Sequence, residues 1–396
     1  MKRRRTKKTK SIQIPFKFLL LLISATLLVG FAIYYIFTIT SIKNIDKAIL
    51  NGSQRYLLSQ SNGQSKRTVI ILEEGYDTER RISDVYLFLN NEDKGKSLLV
   101  YIPSWLYFTG LEENFGSAIP ISSFRYAGDT IQEDRGVEYA VWQISQILGI
   151  TFNNYIYISS EANSALDLVF GEDVISKDRY RDMFKAGDKA SLSEGFFKLQ
   201  AVSSKISFVK SLFKVNELKK FNNNIYSDIS FLQTLTMLKS VEKTLQTTES
   251  YAIDLANPKY SEEKLSDLGG IKRYLLSTEF DKSYRALISL LVDREVEKER
   301  VRVEVYSGSG VAGAAMQFGR KIENSGCDVV RYENAPETID KTIIYISKPD
   351  DFKKSFKIVS EIFSDNFELV EGRPDFMTTG DIVIILGEDI KRMYSF

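Results

Sequence analysis

The chain has 396 residues, 43% hydrophobic and 12% aromatic, a composition that packs a core and excludes a disordered stalk. Its 53 basic and 52 acidic residues nearly cancel, but eight of the basic ones lie at or before Lys17. The remainder carries 45 bases against 52 acids, a mild acidity that excludes nucleic acid as a partner. There is no histidine and one cysteine, Cys327, which excludes Ser-His-Asp and Cys-His nucleophiles, histidine-ligated zinc and any internal disulfide.

Residues 1–15 form a basic tail that opens MKRRRTKKTK, and an apolar run follows over 16–39. A bilayer core is roughly 30 Å thick and takes about 20 apolar helical residues to cross. The run exceeds the apolar region of a cleaved signal, and bulky Tyr34, Tyr35 and Phe37 end it, so it reads as a retained transmembrane helix. The basic cluster before it places the N-terminus in the cytoplasm and everything after about Thr40 outside the cell membrane. The tail then faces anionic membrane lipid.

Helical spacing over 41–58 dissolves into SQSNGQSK, so 40–66 reads as a linker. RTVIIL at 67–72 predicts a strand, and VYLFL (85–89) and SLLVYI (97–102) predict a hairpin around NNEDKGK. A helix over 136–148 places Val137, Ala140, Val141, Ile144 and Leu148 on one face and stops at Gly149. NYIYIS at 154–159 is a further strand, completing an α/β layer domain. Amphipathic helices are expected over 191–221 and 230–245, the second with Asp228 as N-cap. Residues 251–270 read as loop, and 281–299 as a helix ending in the solvated charge run DREVEKER.

The last unit is a small α/β sandwich. Strands are expected at 301–306, 327–332, 342–346 and 381–386, with helices at 314–324 and 352–363 and Cys327 as a small core residue. Gly308, Gly310 and Gly313 in SGSGVAG spell GxGxxG between a strand and a helix, and Glu333 ends the next strand. The unit is too short for a two-halved dinucleotide fold, so no nicotinamide or flavin cofactor is expected. The glycines read as a tight turn whose amides are at most an anion site.

Several stretches together resemble the LytR-CpsA-Psr family of cell-wall glycopolymer transferases. Ile70-Ile71-Leu72 leads into Glu74-Gly75-Tyr76-Asp77-Thr78, similar to the family's GTDSR loop. Arg81-Ile82-Ser83-Asp84-Val85 is similar to its RSDT, and Val100-Tyr101-Ile102-Pro103 to the strand ending PRD. Ser122-Ser123-Phe124-Arg125-Tyr126-Ala127-Gly128 resembles its INAAYAYG segment, and residues 136–156 its GVELAVETVEELLGIPIDYYV. Asp228-Ile229-Ser230 resembles its TDLS. Residues 303–315 resemble the LytR C-terminal signature VxVLNGTGVxGLA, and the order of parts is kept. On this resemblance residues 67–245 are the transferase-like domain, 246–300 a loop and helical linker, and 301–396 the C-terminal domain.

The resemblance implies a polyprenyl-diphosphate-linked glycopolymer as ligand, with peptidoglycan or other envelope proteins as further partners. It implies Asp77 and Asp84 as ligands of Mg2+, Asp77, Arg81 and Asp84 as catalytic residues, and Arg80 and Arg125 as binding charge. Arginine forks and a metal ion are what a diphosphate requires. The departures are equally specific. Pro103 is followed by Ser104-Trp105 instead of Arg-Asp, Arg81 is displaced by Ile82, Ser122 replaces an Asn, and the later arginine clusters have no counterpart. Two readings follow: a binding member with degenerate catalysis, or an active Mg2+-dependent phosphotransferase.

Overall fold

The computed structural model describes residues 16–41, 66–75, 80–108, 118–170, 181–207, 214–266, 269–292, 294–363 and 366–393. The expected linker helix over 41–58 therefore lies almost wholly outside the described residues. The first compact unit, residues 1–43, contains α1 (Phe16–Ser41). Its 22 residues Phe16–Phe37 are apolar and unburied, and at 1.5 Å per residue they reach about 33 Å, enough to cross a bilayer.

The second unit, residues 44–396, is built on two sheets that share one hydrophobic core, with a third, smaller sheet. The strands are β1 (Lys66–Glu74), β2 (Arg81–Asn91), β3 (Lys96–Pro103), β4 (Leu106–Phe108), β5 (Ile119–Pro120), β6 (Asn154–Ile158), β7 (Phe184–Gly187), β8 (Ile225–Ser227) and β9 (Glu249–Asp254). Then come β10 (Ser261–Leu265), β11 (Ile271–Leu275), β12 (Arg302–Ser307), β13 (Asp328–Asn334), β14 (Ile343–Ile346), β15 (Glu368–Glu371) and β16 (Ile382–Leu386). The helices are α2 (Phe124–Ile131), α3 (Gly136–Leu148), α4 (Ser160–Phe170), α5 (Lys198–Lys205), α6 (Val215–Asn223) and α7 (Phe231–Thr247). After them come α8 (Ser277–Leu291), α9 (Arg294–Glu299), α10 (Ala314–Glu323) and α11 (Lys353–Ile362).

The central sheet runs β7-β9-β3-β2-β1-β6-β8. The expected hairpin is antiparallel β2–β3, and β1 lies between antiparallel β2 and parallel β6. Both faces are covered, which is why these strands are almost continuously apolar. Val69 and Ile71 enter the shared core, whereas Ile70, Tyr86 and Tyr101 on the other face are buried with them. The small sheet β10-β11-β4-β5 continues from β3 at Pro103.

Three expectations over residues 191–270 differ from the structure. The helix over 191–221 is broken: residues 195–197 form a single tight turn before α5, and α5 stops at Lys205, where Ile206 is extended. Ser204 in its last turn donates to Ala201 O, a local competition with the helix's own bonds, while Ser203 donates to Lys239 O of α7. The N-cap of α7 is Ser230, which forms a reciprocal capping box with Gln233. Asp228 instead accepts from Tyr155 N at 2.8 Å and Asn154 Nδ2 at 2.7 Å, tying the turn after β8 to β6. Residues 251–270 are not loop, since β9 is an interior strand between β7 and β3 and β10–β11 form a hairpin. Tyr251, Ala252 and Ile253 are all buried, so β9 lacks the alternation that would have revealed it.

The C-terminal sheet runs β13-β12-β16-β14-β15 and keeps every strand and helix expected there, with β15 added as a short edge. Cys327 is buried, and burial pushes its thiol up to about 12. The helix expected over 281–299 is also interrupted, since α8 ends at Leu291 with Val292 extended and α9 starts at Arg294, and its charge run is not wholly solvated. Glu299 accepts from Lys354 N at 2.9 Å and Ser355 N at 2.8 Å, closing the start of α11. Arg320 of α10 grips Asp281 of α8 through two hydrogen bonds of 2.6 and 2.8 Å. The same guanidinium donates to Ile147 O at 2.9 Å, and Asn324 donates to Leu148 O and Gly149 O. These donors cap the last turn of α3, whose free carbonyls carry partial negative charge. Gly149, at φ +60, is required twice, since a Cβ there would lie 3.0 Å from the Arg320 side chain.

Candidate functional site

The C-terminal end of β1 collects the charge. Consecutive residues of a strand point to opposite faces, so Glu73 and Glu74 leave the sheet on opposite sides. Glu73, fully buried, is bonded by Arg125 of α2, by Tyr157 Oη at 2.5 Å and by Ser160 N at 3.3 Å, the first amide of α4. The Arg125 guanidinium also lies over the Tyr157 ring at 5.6 Å and the Tyr226 ring at 5.9 Å. Burial works against its charge, but Tyr157 and Glu73 outweigh burial and raise its pKa. Arg80 is bonded to Glu161, which also accepts from Ser159 Oγ at 2.9 Å. Partial burial works to raise the Glu161 pKa, yet its hydrogen bonds and the Arg80 charge leave it lowered.

Glu74 faces a second cluster. The register shift between Leu72 and Glu73 is a bulge that leaves Ser83 as the extra residue of β2. Without it Arg81, three residues before Asp84, would leave the opposite face. With it Arg81 pairs with Glu74 and returns to the face of Asp84. Arg81 is exposed there, and Asp84 is 2% exposed.

Asp84 Oδ1 accepts from Tyr101 Oη at 2.9 Å and Oδ2 from Lys198 Nζ at 2.8 Å. Lys198 also lies 3.6 Å from Glu74 Oε1. Burial works to lower the Lys198 pKa, but the bond to Asp84 and the charges of Asp84 and Glu74 raise it. Burial and the Asp84 charge raise the Tyr101 pKa, so that hydroxyl keeps its proton.

Lys198 is placed by the turn before α5. Tyr86 Oη donates to Gly195 O at 2.5 Å, and a Cβ on Gly195 would lie 2.1 Å from Tyr101 Oη. The tyrosines stand side by side on β2 and β3, ring centroids 5.3 Å apart. Beyond Pro103, the Arg273 guanidinium of β11 lies over the Trp105 ring at 5.2 Å and is paired with Glu263 at 2.8 Å.

Of the residues singled out in the sequence, the structure brings Arg81 and Asp84 onto one face and commits Arg80 and Arg125 to separate carboxylates. Asp77 lies outside the described residues. Among the described residues, no group of three or more Asp, Glu or Cys is placed to hold a metal ion. The donor set at Asp84 does not fit Mg2+ as it stands. Each of its oxygens already receives a proton donor, and one of those donors is itself a cation. Sequence reading missed Glu73, Tyr157, Glu161 and Lys198. Glu73 was findable, as a second acid directly before the Gly75 loop. Lys198 was not, since only the fold brings it to Asp84.

The glycine turn is different. Gly310 and Gly313 both have φ +72, and Gly308 packs so that a Cβ would lie 2.9 Å from Glu337 O. Ser309 is buried and bonded to Ser307 at 3.0 Å, and Glu333 is exposed.

Comparison with known families decides one part of the chain. Residues 300–389 match the family described as LytR cell envelope-related transcriptional attenuator. That match covers 90 of the 396 residues and begins one residue before the first strand expected from sequence. No curated protein matches the chain. Among solved structures, B. subtilis TagV is 15% identical, with a TM-score of 0.39 over 58% of this chain and 98% of its own. TagT bound to LI-WTA is 9% identical, with a TM-score of 0.36 over 63% of this chain and 96% of its own. Lin1025 protein from Listeria innocua is 11% identical, with a TM-score of 0.38 over 58% of this chain and 98% of its own.

Proposed function

We propose that this chain is a single-pass cell-envelope protein of LytR-CpsA-Psr type. It binds polyprenyl-diphosphate-linked glycopolymer outside the membrane and supports its attachment to the cell wall, with degenerate catalysis. The observation that carries this reading is the bulge at Ser83. It restores Arg81 to the face of Asp84, in the stretch that resembles the family's RSDT, although Ile82 separates them from the family spacing. Lys198 and Arg81 then offer two cations to a diphosphate, and Asp84 with Tyr101 fixes where Lys198 stands. Arg80 and Arg125 are tied to Glu161 and Glu73, which supports binding over turnover.

The test uses the purified full-length chain in lipid vesicles with a polyprenyl-diphosphate-linked glycopolymer and peptidoglycan. Saturable binding without transfer is the expected result. Transfer that disappears in Asp84→Asn would establish the phosphotransferase reading instead, and absence of binding would overturn both. Orientation is tested separately: protease added outside spheroplasts should digest everything beyond about Thr40, and a protected C-terminal domain would refute the topology.

A further inference from the structure

We propose that the Lys198 ammonium occupies the cation position of the Asp84 site, so that this chain holds no divalent ion there. Nζ sits between two carboxylates, 2.8 Å from Asp84 Oδ2 and 3.6 Å from Glu74 Oε1. Mg2+ requires near-octahedral oxygen ligation at about 2.0–2.1 Å and keeps its waters reluctantly displaced. Beside Lys198 it would bring three positive charges against the two carboxylates described here. Tyr101 closes the other oxygen of Asp84 at 2.9 Å.

The lysine is built into this position. It opens α5 directly after the turn at residues 195–197, and Phe196 and Phe197 of that turn are buried. Tyr86 holds the turn through Gly195 O, and only glycine fits against Tyr101 Oη. An ammonium is a fixed charge with three donors and no Lewis acidity, so a phosphate meeting this site meets hydrogen bonds without a metal bridge. The inference goes beyond the glycopolymer reading and does not depend on it, because its test needs only protein and ion.

The experiment titrates Mn2+, as a paramagnetic stand-in for Mg2+, into the detergent-solubilised full-length chain and follows the free-ion resonance signal. Wild type should leave Mn2+ free at millimolar concentration. Lys198→Met, which removes the charge at similar volume, should gain a saturable site at least about tenfold tighter. Lys198→Arg should remain without one. A 1:1 site in wild type that disappears in Asp84→Asn would overturn the proposal. So would a natively folded Lys198→Met that gains nothing. The wild-type titration decides the first point even if the methionine variant fails to fold.

Discussion

The C-terminal ends of β1, which leads on to β2, and of β12, which leads into α10, are built from opposite materials. At β1 the end of the strand carries Glu73 and Glu74, and buried or half-buried Arg125, Tyr101 and Tyr157, with exposed Lys198, answer them and the neighbouring Asp84. At β12 the turn into α10 is made by backbone, with Gly310 and Gly313 at positive φ and the Ser307–Ser309 pair beside them. A buried ion pair is weak support for stability, since apolar residues of similar volume often do as well or better. The concentration of buried charge at β1 therefore points to function, whereas the glycine turn is explained by shape. The literal GxGxxG match sits at the end that chemistry leaves plain.

The largest effect expected from this contrast is on Glu73. Glu73→Ala leaves the Arg125 guanidinium with only the more distant, exposed Asp129 carboxylate at 3.7 Å, and chemical denaturation should show a loss of about 3 kcal/mol. Arg81→Ala, exposed on β2, should change stability by no more than about 0.5 kcal/mol. Equal losses would erase the distinction between the held and the offered arginine.

The C-terminal domain supplies the converse case in Lys321, buried over the Phe318 ring at 5.4 Å. Burial, reinforced by the Arg320 charge, pushes its pKa down to about 8. The unfolded chain then binds the extra proton between about 8 and the ordinary lysine value, so this group's contribution to stability rises with pH across that window. Lys321→Met should raise the melting temperature at pH 7 by an amount worth roughly 2–3 kcal/mol, and the gain should shrink towards zero by pH 10. A gain independent of pH would show that the lysine is solvated.

Smaller again is Gly195→Ala, which forces a Cβ against Tyr101 and should cost about 1–3 kcal/mol. Smallest among the glycine changes is Gly310→Ala, where nothing lies near the new Cβ and only the positive φ is penalised, by about 1–2 kcal/mol. A Gly310→Ala variant that loses more than the Glu73→Ala variant would invert the comparison.

What was legible in the sequence follows from how local the signal is. Strands β1, β2, β3 and β6 declare themselves as β-branched apolar runs, and α3 through its 3.6-residue spacing and Gly149. The C-terminal domain, made of short regular elements, was readable almost throughout. β9 was hidden because an interior strand flanked by polar residues resembles loop, whereas α5 lay inside the helix expected over 191–221 and only its ends, at the turn by Gly195 and at Lys205, were not legible. Arg81 and Asp84 were singled out by the family resemblance, with Arg81 off the motif's spacing, and the bulge that puts them on one face depends on pairing with β1. Lys198, 114 residues from Asp84 in the chain, belongs to the site only through the fold.

The central claim is that the ligand is met at the end of β1 and not at the glycine turn. Its most direct test is the affinity of the full-length chain in lipid vesicles for a polyprenyl-diphosphate-linked glycopolymer, measured for wild type, Arg81→Ala, Lys198→Ala and Gly310→Ala. The account predicts that each loss of a cation at β1 weakens binding by about tenfold while Gly310→Ala binds as wild type does. Binding that survives both β1 variants and fails in Gly310→Ala would contradict it.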